Sequence, residues 1–228
     1  MPRNFFITGN PKAGKTTLLL QLVKELRKKG LKVGGFVSPD ERHHGTRTAF
    51  RVMDVESGKS AMLARVSGDG PKVSKYHVDV KSFEGIVLPS MKKSAECDIV
   101  VIDEIGVMEL KSAKFAAMLD DLLESDTHLI ATLHHDLIGK YSTEGEVLEI
   151  DEENRSQVYQ RLLREAASMK KEVPAKMEKS AKRKAQEKAP PKKGRKKEAA
   201  PKKKEPVIER KEEKKGGFFD SIKRMFGS

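Results

Sequence analysis

The chain is poor in several residue types that decide architecture: it has one cysteine, no tryptophan and only 5% aromatic residues among 228. A single thiol, Cys97, excludes an intramolecular disulfide framework and suits a reducing compartment. No run of about 18 apolar residues occurs, so the sequence offers no membrane span. The apolar stretch after Arg3 is short and meets Gly9, unlike a secretory leader. These absences predict a cytoplasmic protein. An internal repeat is also lacking.

Acidic residues are scarce in only one region. Residues 1–168 carry 24 Lys and Arg against 25 Asp and Glu, a net of −1, whereas residues 169–228 carry 22 against 9, a net of +13. The overall charge of +12 therefore says nothing about the larger part. Attraction to polyanions has to be argued for the tail alone.

The first 168 residues alternate two kinds of pattern. Phe5–Thr8 reads as a buried strand, and Lys15–Lys29 has Leu18, Leu19, Leu22, Val23 and Leu26 at helical spacing before Gly30. Lys32–Ser38 reads as a second strand. Thr46–Val55 and Lys59–Val66 flank Ser57-Gly58 as a hairpin. Ser82–Ser94 predicts a helix broken or kinked at Pro89. Ile99–Ile102 predicts a strand buried on both faces, Ala113–Leu123 a helix, His128–Leu133 and Glu146–Ile150 strands, and Asp151–Ser168 a helix. Alternation of this kind predicts an α/β fold, with a mostly parallel sheet flanked by helices and an added β-hairpin.

Two elements carry chemistry. Gly9-Asn10-Pro11-Lys12-Ala13-Gly14-Lys15-Thr16, followed by Thr17, matches G-x-x-x-x-G-K-[ST] between a strand and a helix. A triphosphate needs convergent donors, and a loop of backbone N–H groups at a helix N-terminus supplies them. Lys15 is expected at the β and γ oxygens and the Thr16 hydroxyl at Mg²⁺. The second element is Val100-Val101-Ile102-Asp103-Glu104. An acid at the carboxyl end of a buried strand faces the crevice where ligands of open α/β sheets sit. Asp103 is expected in the Mg²⁺ shell, and Glu104 is placed to deprotonate or orient the attacking water. A phosphotransferase acting on a small acceptor would share the loop and the sheet; the Asp-Glu pair favours hydrolysis.

With both elements in view, the chain resembles the small P-loop nucleoside-triphosphatases described from thermophiles and as cancer-related NTPases. The likeness runs from residue 1 to about 168. It rests on Gly9–Thr17, on Val101-Ile102-Asp103-Glu104-Ile105-Gly106-Val107-Met108-Glu109-Leu110, and on Gly35-Phe36 followed by Glu41-Arg42, Gly45, Arg47 and Phe50. Val73-Ser74-Lys75-Tyr76, Ala131-Thr132-Leu133-His134 and Glu153-Asn154-Arg155 add to it. The resemblance implies slow hydrolysis of several nucleoside triphosphates with little base selectivity. It also implies nucleotide-binding stretches at Gly9–Thr16 and about Val100–Val107, with Arg47 and Arg155 as accessory groups. Lys12 stands where the family commonly has glycine, and His135 where it often has arginine.

Arg42 is a third arginine suited to charge on a transferring phosphoryl group, and Lys75 with Tyr76 is placed to cap the cleft. His43, His44, His134 and His135 form two adjacent pairs. Neighbouring residues rarely aim at one ion, so they read as polar loop material rather than a zinc site.

After about Lys170, Lys, Glu, Ala and Pro dominate, and Pro190, Pro191, Pro201 and Pro206 interrupt any helix. This composition predicts a disordered linker over residues 169–216. Within residues 217–228, Phe218, Phe219, Ile222, Met225 and Phe226 share one face of a short helix beside Lys223 and Arg224. The tail therefore admits solubilising disorder, salt-dependent contact with nucleic acid, or docking of the terminal face on a membrane surface or partner protein.

Overall fold

The computed structural model describes residues 3–43 and 46–169. The linker and the terminal amphipathic segment lie outside them, apart from Met169, which is buried.

The strands are β1 (Asn4–Thr8), β2 (Val33–Val37), β3 (Asp40–His43), β4 (Thr46–Asp54), β5 (Ser60–Arg65), β6 (Lys72–Val73), β7 (Tyr76–Val78), β8 (Ile99–Ile105), β9 (His128–Leu133) and β10 (Glu146–Glu149). The helices are α1 (Lys15–Lys28), α2 (Val80–Met91), α3 (Ala113–Leu123), α4 (Ile138–Tyr141) and α5 (Arg155–Ala167). One sheet has the order β10-β1-β9-β8-β2-β4-β5-β7-β6, with β3 paired to β4. From β10 to β2 the pairing is parallel, and from β2 onward it is antiparallel.

Alternation along the parallel strands divides the core into two. Phe5, Ile7, Ile99 and Val101 pack with Leu19, Leu22 and Leu26 of α1 and Leu162 of α5. Phe6, Val100 and Ile102 pack on the other face with Phe83 of α2 and Phe115 and Leu119 of α3. Successive strand residues point to opposite faces, so a strand covered on both sides must be apolar throughout. Phe36, Phe83 and Phe115 meet edge to face, with centroids 5.5–5.8 Å apart. Among the described residues no helix is long and apolar enough to cross a membrane.

The predicted α/β alternation is present, with four adjustments. The hairpin is β4–β5, but it belongs to a larger antiparallel extension that includes β3, β6 and β7. Helix α2 runs through Pro89 and stops at Met91. Its end is held by the Lys92 N–H on the Leu88 carbonyl and by the buried Ser90 hydroxyl on the Gly35 carbonyl. Helix α5 begins at Arg155 rather than Asp151. The Asp151 carboxylate accepts from the N–H groups of Glu153 and Asn154, closing a turn that precedes the helix. Strand β8 continues three residues past Ile102.

Strand order reverses around β1: the chain leaves it for β2 on one side and later returns through β9 and β10 around it. The carboxyl ends of β1, β8 and β9 therefore open on one crevice, the place where open α/β sheets hold ligands.

Candidate active site

The loop after β1 turns tightly into α1. Gly9, Lys12 and Gly14 have φ of 141°, 74° and 92°, and Gly14 is the N-cap of α1. A side chain at Gly9 would strike the Ile150 carbonyl, and one at Gly14 would strike the Arg155 guanidinium. Both glycines are thus required by close approach as well as by φ. Lys12, with φ 74°, adopts the left-handed region without that freedom, a conformation that favours glycine. Ala13 is buried, while Asn10, Pro11, Lys12 and Thr17 are exposed. Lys15 Nζ donates to the carbonyls of Gly9 (2.7 Å) and Asn10 (3.2 Å), so its ammonium lies over the loop.

Opposite stands the bulged end of β8. Ile102 pairs with Ala131 and Ile105 with Leu133, leaving Asp103 and Glu104 against the single residue Thr132. A bulge of two residues against one bends the strand and re-aims its side chains. The Asp103–Glu104 peptide is cis. Asp103 Oδ1 accepts from the Thr132 hydroxyl at 2.7 Å, and Oδ2 faces the Ser38 N–H at 3.4 Å. The Thr16 hydroxyl also bonds this carboxylate, bringing the two predicted Mg²⁺ ligands together. Burial raises the Asp103 pKa, opposed by those three hydrogen bonds and by the charge of Lys15.

Glu104 is pushed up to about 7, first by burial and then by the charge of Asp103; Lys15 and Arg47 pull the other way. A third carboxylate, Glu109, lies just beyond. A Cβ on Gly106 would sit 2.7 Å from Glu109 Oε2 and 3.3 Å from Glu104 Oε1, so the missing side chain makes room for both acids. Glu109 is buried, and burial followed by the charges of Glu104 and Asp103 holds its pKa well above the ordinary carboxylate range.

The remaining predicted residues fall into two groups. Val100, Val101, Ile102 and Ile105 are fully buried and carry the bulge, whereas Val107 is exposed after the Gly106 turn. Of the two arginines, Arg155 Nη1 donates to the Ala13 carbonyl at 3.2 Å and clasps the loop from α5. Arg47 places its guanidinium 5.0 Å from the Phe50 ring centre, and Phe50 meets Tyr76 edge to face at 5.0 Å. The Tyr76 hydroxyl donates to the Arg47 carbonyl at 3.2 Å, so the β6–β7 turn steadies this arginine. Lys75 Nζ lies over the Tyr76 ring. His134 follows β9, with its N–H on the Ile105 carbonyl at 3.0 Å, and feels the charge of Lys15.

Roles for Thr132, Ser38 and Glu109 were not read from the sequence. Thr132 and Glu109 did carry a signal: each is a lone polar residue inside an apolar run, and such residues are buried only for a reason.

Comparison with known proteins gives a consistent result. The model of a family described as NTPase matches residues 4–163. The nucleoside-triphosphatase THEP1 of Methanocaldococcus jannaschii is 38% identical over 160 residues, covering 69% of this chain and 94% of that protein. The protein of the same name from Pyrococcus abyssi is 37% identical over 162 residues, covering 71% and 90%. Among solved structures, THEP1 of the hyperthermophile Aquifex aeolicus superposes with a TM-score of 0.64 at 28% identity, covering 72% of this chain and 98% of that one. A human cancer-related nucleoside triphosphatase superposes with a TM-score of 0.63 at 30% identity, covering 74% and 100%.

Proposed function

We propose, from the premise that this chain belongs to the NTPase family and is a nucleoside-triphosphate-hydrolysing enzyme, that it is Mg²⁺-dependent and accepts ATP, GTP and other nucleoside triphosphates. The observation that carries the reading is the pairing of Thr16 with Asp103 beneath Lys15, with Glu104 as the next residue. The groups gathered at the loop address phosphate oxygens, which every nucleoside triphosphate shares. This supports low selectivity for the base.

The residues fit a magnesium ion. Asp103 is a buried carboxylate whose pKa is raised by that burial, a penalty that a bound cation offsets. The Ser38 hydroxyl beside it is buried without a hydrogen-bond partner. Hard oxygen donors of this kind, with water and phosphate completing the shell, suit Mg²⁺. Thr16 and Asp103 would hold the ion, which neutralises charge on the β- and γ-phosphates.

The loop N–H groups from Asn10 to Lys15 and the α1 dipole bind the phosphates. Lys15 exchanges the Gly9 and Asn10 carbonyls for phosphate oxygens. Glu104 takes a proton from the attacking water as it adds to the γ-phosphorus; the bond to the bridging oxygen breaks, giving diphosphate and phosphate. A base with a pKa of about 7 is matched to neutral pH. Arg47 and Arg155 oppose the negative charge of the transferring group from two sides.

Glu104→Gln tests the assignment. The variant should bind nucleotide as the wild type does while phosphate release falls by about 10²- to 10⁴-fold. Unchanged turnover would remove Glu104 from its role. We also propose a cytoplasmic location, and for the basic tail the readings that the sequence leaves open: docking of residues 217–228 on a membrane surface or partner protein, or salt-dependent contact with nucleic acid. Vesicle flotation with and without those residues checks the docking.

A further inference from the structure

The end of β9 brings three metal-ligating side chains together outside the phosphate site. His134 closes the strand with extended backbone, φ −64° and ψ 137°, and His135–Leu137 form a single tight helical turn. The change of direction at His134 folds the next ring back over the first: the two imidazole centres are 4.4 Å apart, with planes inclined by 31°. The Asp136 carboxylate then reaches both rings. Its Oδ1 lies 2.9 Å from His135 Nε2, and its Oδ2 lies 3.5 Å from His134 Nδ1. One ligand atom from each residue falls within 4.8 Å of the other two.

We propose that His134, His135 and Asp136 bind one divalent cation of the zinc and cobalt type, at a site separate from Thr16 and Asp103. The sequence argues against a shared ion because neighbouring residues rarely aim at one point; here the change from strand to turn at His134 brings both rings together. Atoms bound to one zinc ion at about 2.0–2.2 Å lie about 3–4 Å apart. Closing the cluster thus needs a movement of about 1 Å. His135 and Asp136 have side chains 75% and 61% exposed and can make it, with the long Asp136 N–H bond to His134 Nδ1 (3.4 Å) given up to the ion. His134 is the fixed member: its ring is two-thirds covered, its N–H is bonded to the Ile105 carbonyl, and its carbonyl accepts from the Leu137 N–H at 2.9 Å.

The donor set decides the metal. Two imidazoles and one carboxylate favour zinc, cobalt, nickel or copper over magnesium, which takes oxygen. Three protein donors leave a fourth position open, as in sites that exchange water for another ligand. The inference does not depend on the hydrolase reading, because binding is measured without nucleotide.

The test uses the full chain, stripped with chelator and free of nucleotide. Co²⁺ is titrated with visible absorption as readout, and Zn²⁺ by calorimetry. One equivalent should bind and give the intense bands of four-coordinate cobalt. His135→Ala and Asp136→Asn should each weaken binding tenfold or more. Cys97→Ser and Glu104→Gln should leave it unchanged, separating this site from the lone thiol and from the catalytic carboxylates. Equal binding by wild type and His135→Ala, or loss of binding in Cys97→Ser, would overturn the proposal.

Discussion

The two halves of the sheet solve different problems. The parallel half, β10-β1-β9-β8-β2, is built around the apolar strands β1, β9, β8 and β2, covered on both faces, and it supplies the loop, Thr16, Asp103 and Glu104. The antiparallel half is more polar, although its β4 is the longest strand described, and it brings Arg47 towards Glu104 through the stack of Phe50 and Tyr76. On the proposed reading, the doubly covered core fixes the groups that would hold ions and phosphates, while the extension adds a charge against the transferring phosphoryl group. That division predicts unequal effects of substitution.

The largest loss should come from the parallel half. Asp103→Asn keeps the shape but removes the charge beside Thr16. Charge stabilisation by a held metal contributes several kcal/mol, so turnover should fall by about 10²- to 10³-fold. The Mg²⁺ concentration for half-maximal rate should rise as well, and a magnesium titration of phosphate release measures both. Arg47→Ala should cost less, about 10²-fold in kcat with KM nearly unchanged, because its contribution grows as charge develops. Tyr76→Phe, which removes the hydrogen bond to the Arg47 carbonyl, should shift kcat in the same direction by a smaller factor. If Arg47→Ala raised KM and left kcat alone, the extension would be a binding device and the division above would fail.

The same contrast explains what could be read in advance. Helix α3 and strand β9 have the expected ends, Ala113–Leu123 and His128–Leu133, because continuous or periodic apolar residues leave no second solution. Strands β6 and β7 have two and three residues, too few for any period to show, and β3 reads Asp-Glu-Arg-His. Their pairing is decided by neighbours across the sheet rather than by their own composition. Within the site, the loop motif named the residues around Lys15. It could not disclose the bulge that opposes Asp103 and Glu104 to Thr132, since register is a property of two strands. Ser38 was hidden for a similar reason, since its position depends on the end of β2 meeting β8, and Glu109 showed as a lone acid among apolar residues without its place beside Glu104, which the turn at Gly106 decides.

The buried acids of the parallel half should also leave a mark on stability. Glu104 has a folded pKa of about 7 against an ordinary value of 4.5. Between those values the folded state binds more protons than the unfolded state, so stability falls as pH rises from 4.5 towards 7. Above 7 the full penalty is present. Glu104→Gln should therefore melt at a higher temperature than wild type at pH 8 without Mg²⁺, and the difference should vanish near pH 4.5. Thermal denaturation at the two pH values measures it. Activity runs oppositely: on the proposed reading the basic form of Glu104 is needed, so turnover should decline towards acid pH. An acid that weakens the fold at the pH where it works reflects function rather than packing.

The smallest effect should come from the loop itself. Lys12 holds φ at 74°, a region that costs a side chain about 1 kcal/mol and costs glycine nothing. Lys12→Gly relieves that strain but enlarges the freedom of the unfolded chain, which takes back about 0.4–1 kcal/mol. The two nearly cancel, so the melting temperature should move by only a degree or two. The exposed ammonium is the separate quantity. If Lys12 contributes through charge over the phosphates, Lys12→Gly should weaken nucleotide binding at low salt and lose that difference at high salt. A salt-independent loss would assign Lys12 to loop shape instead, and would place this exposed residue with the parallel half of the sheet rather than with the screened charges around it.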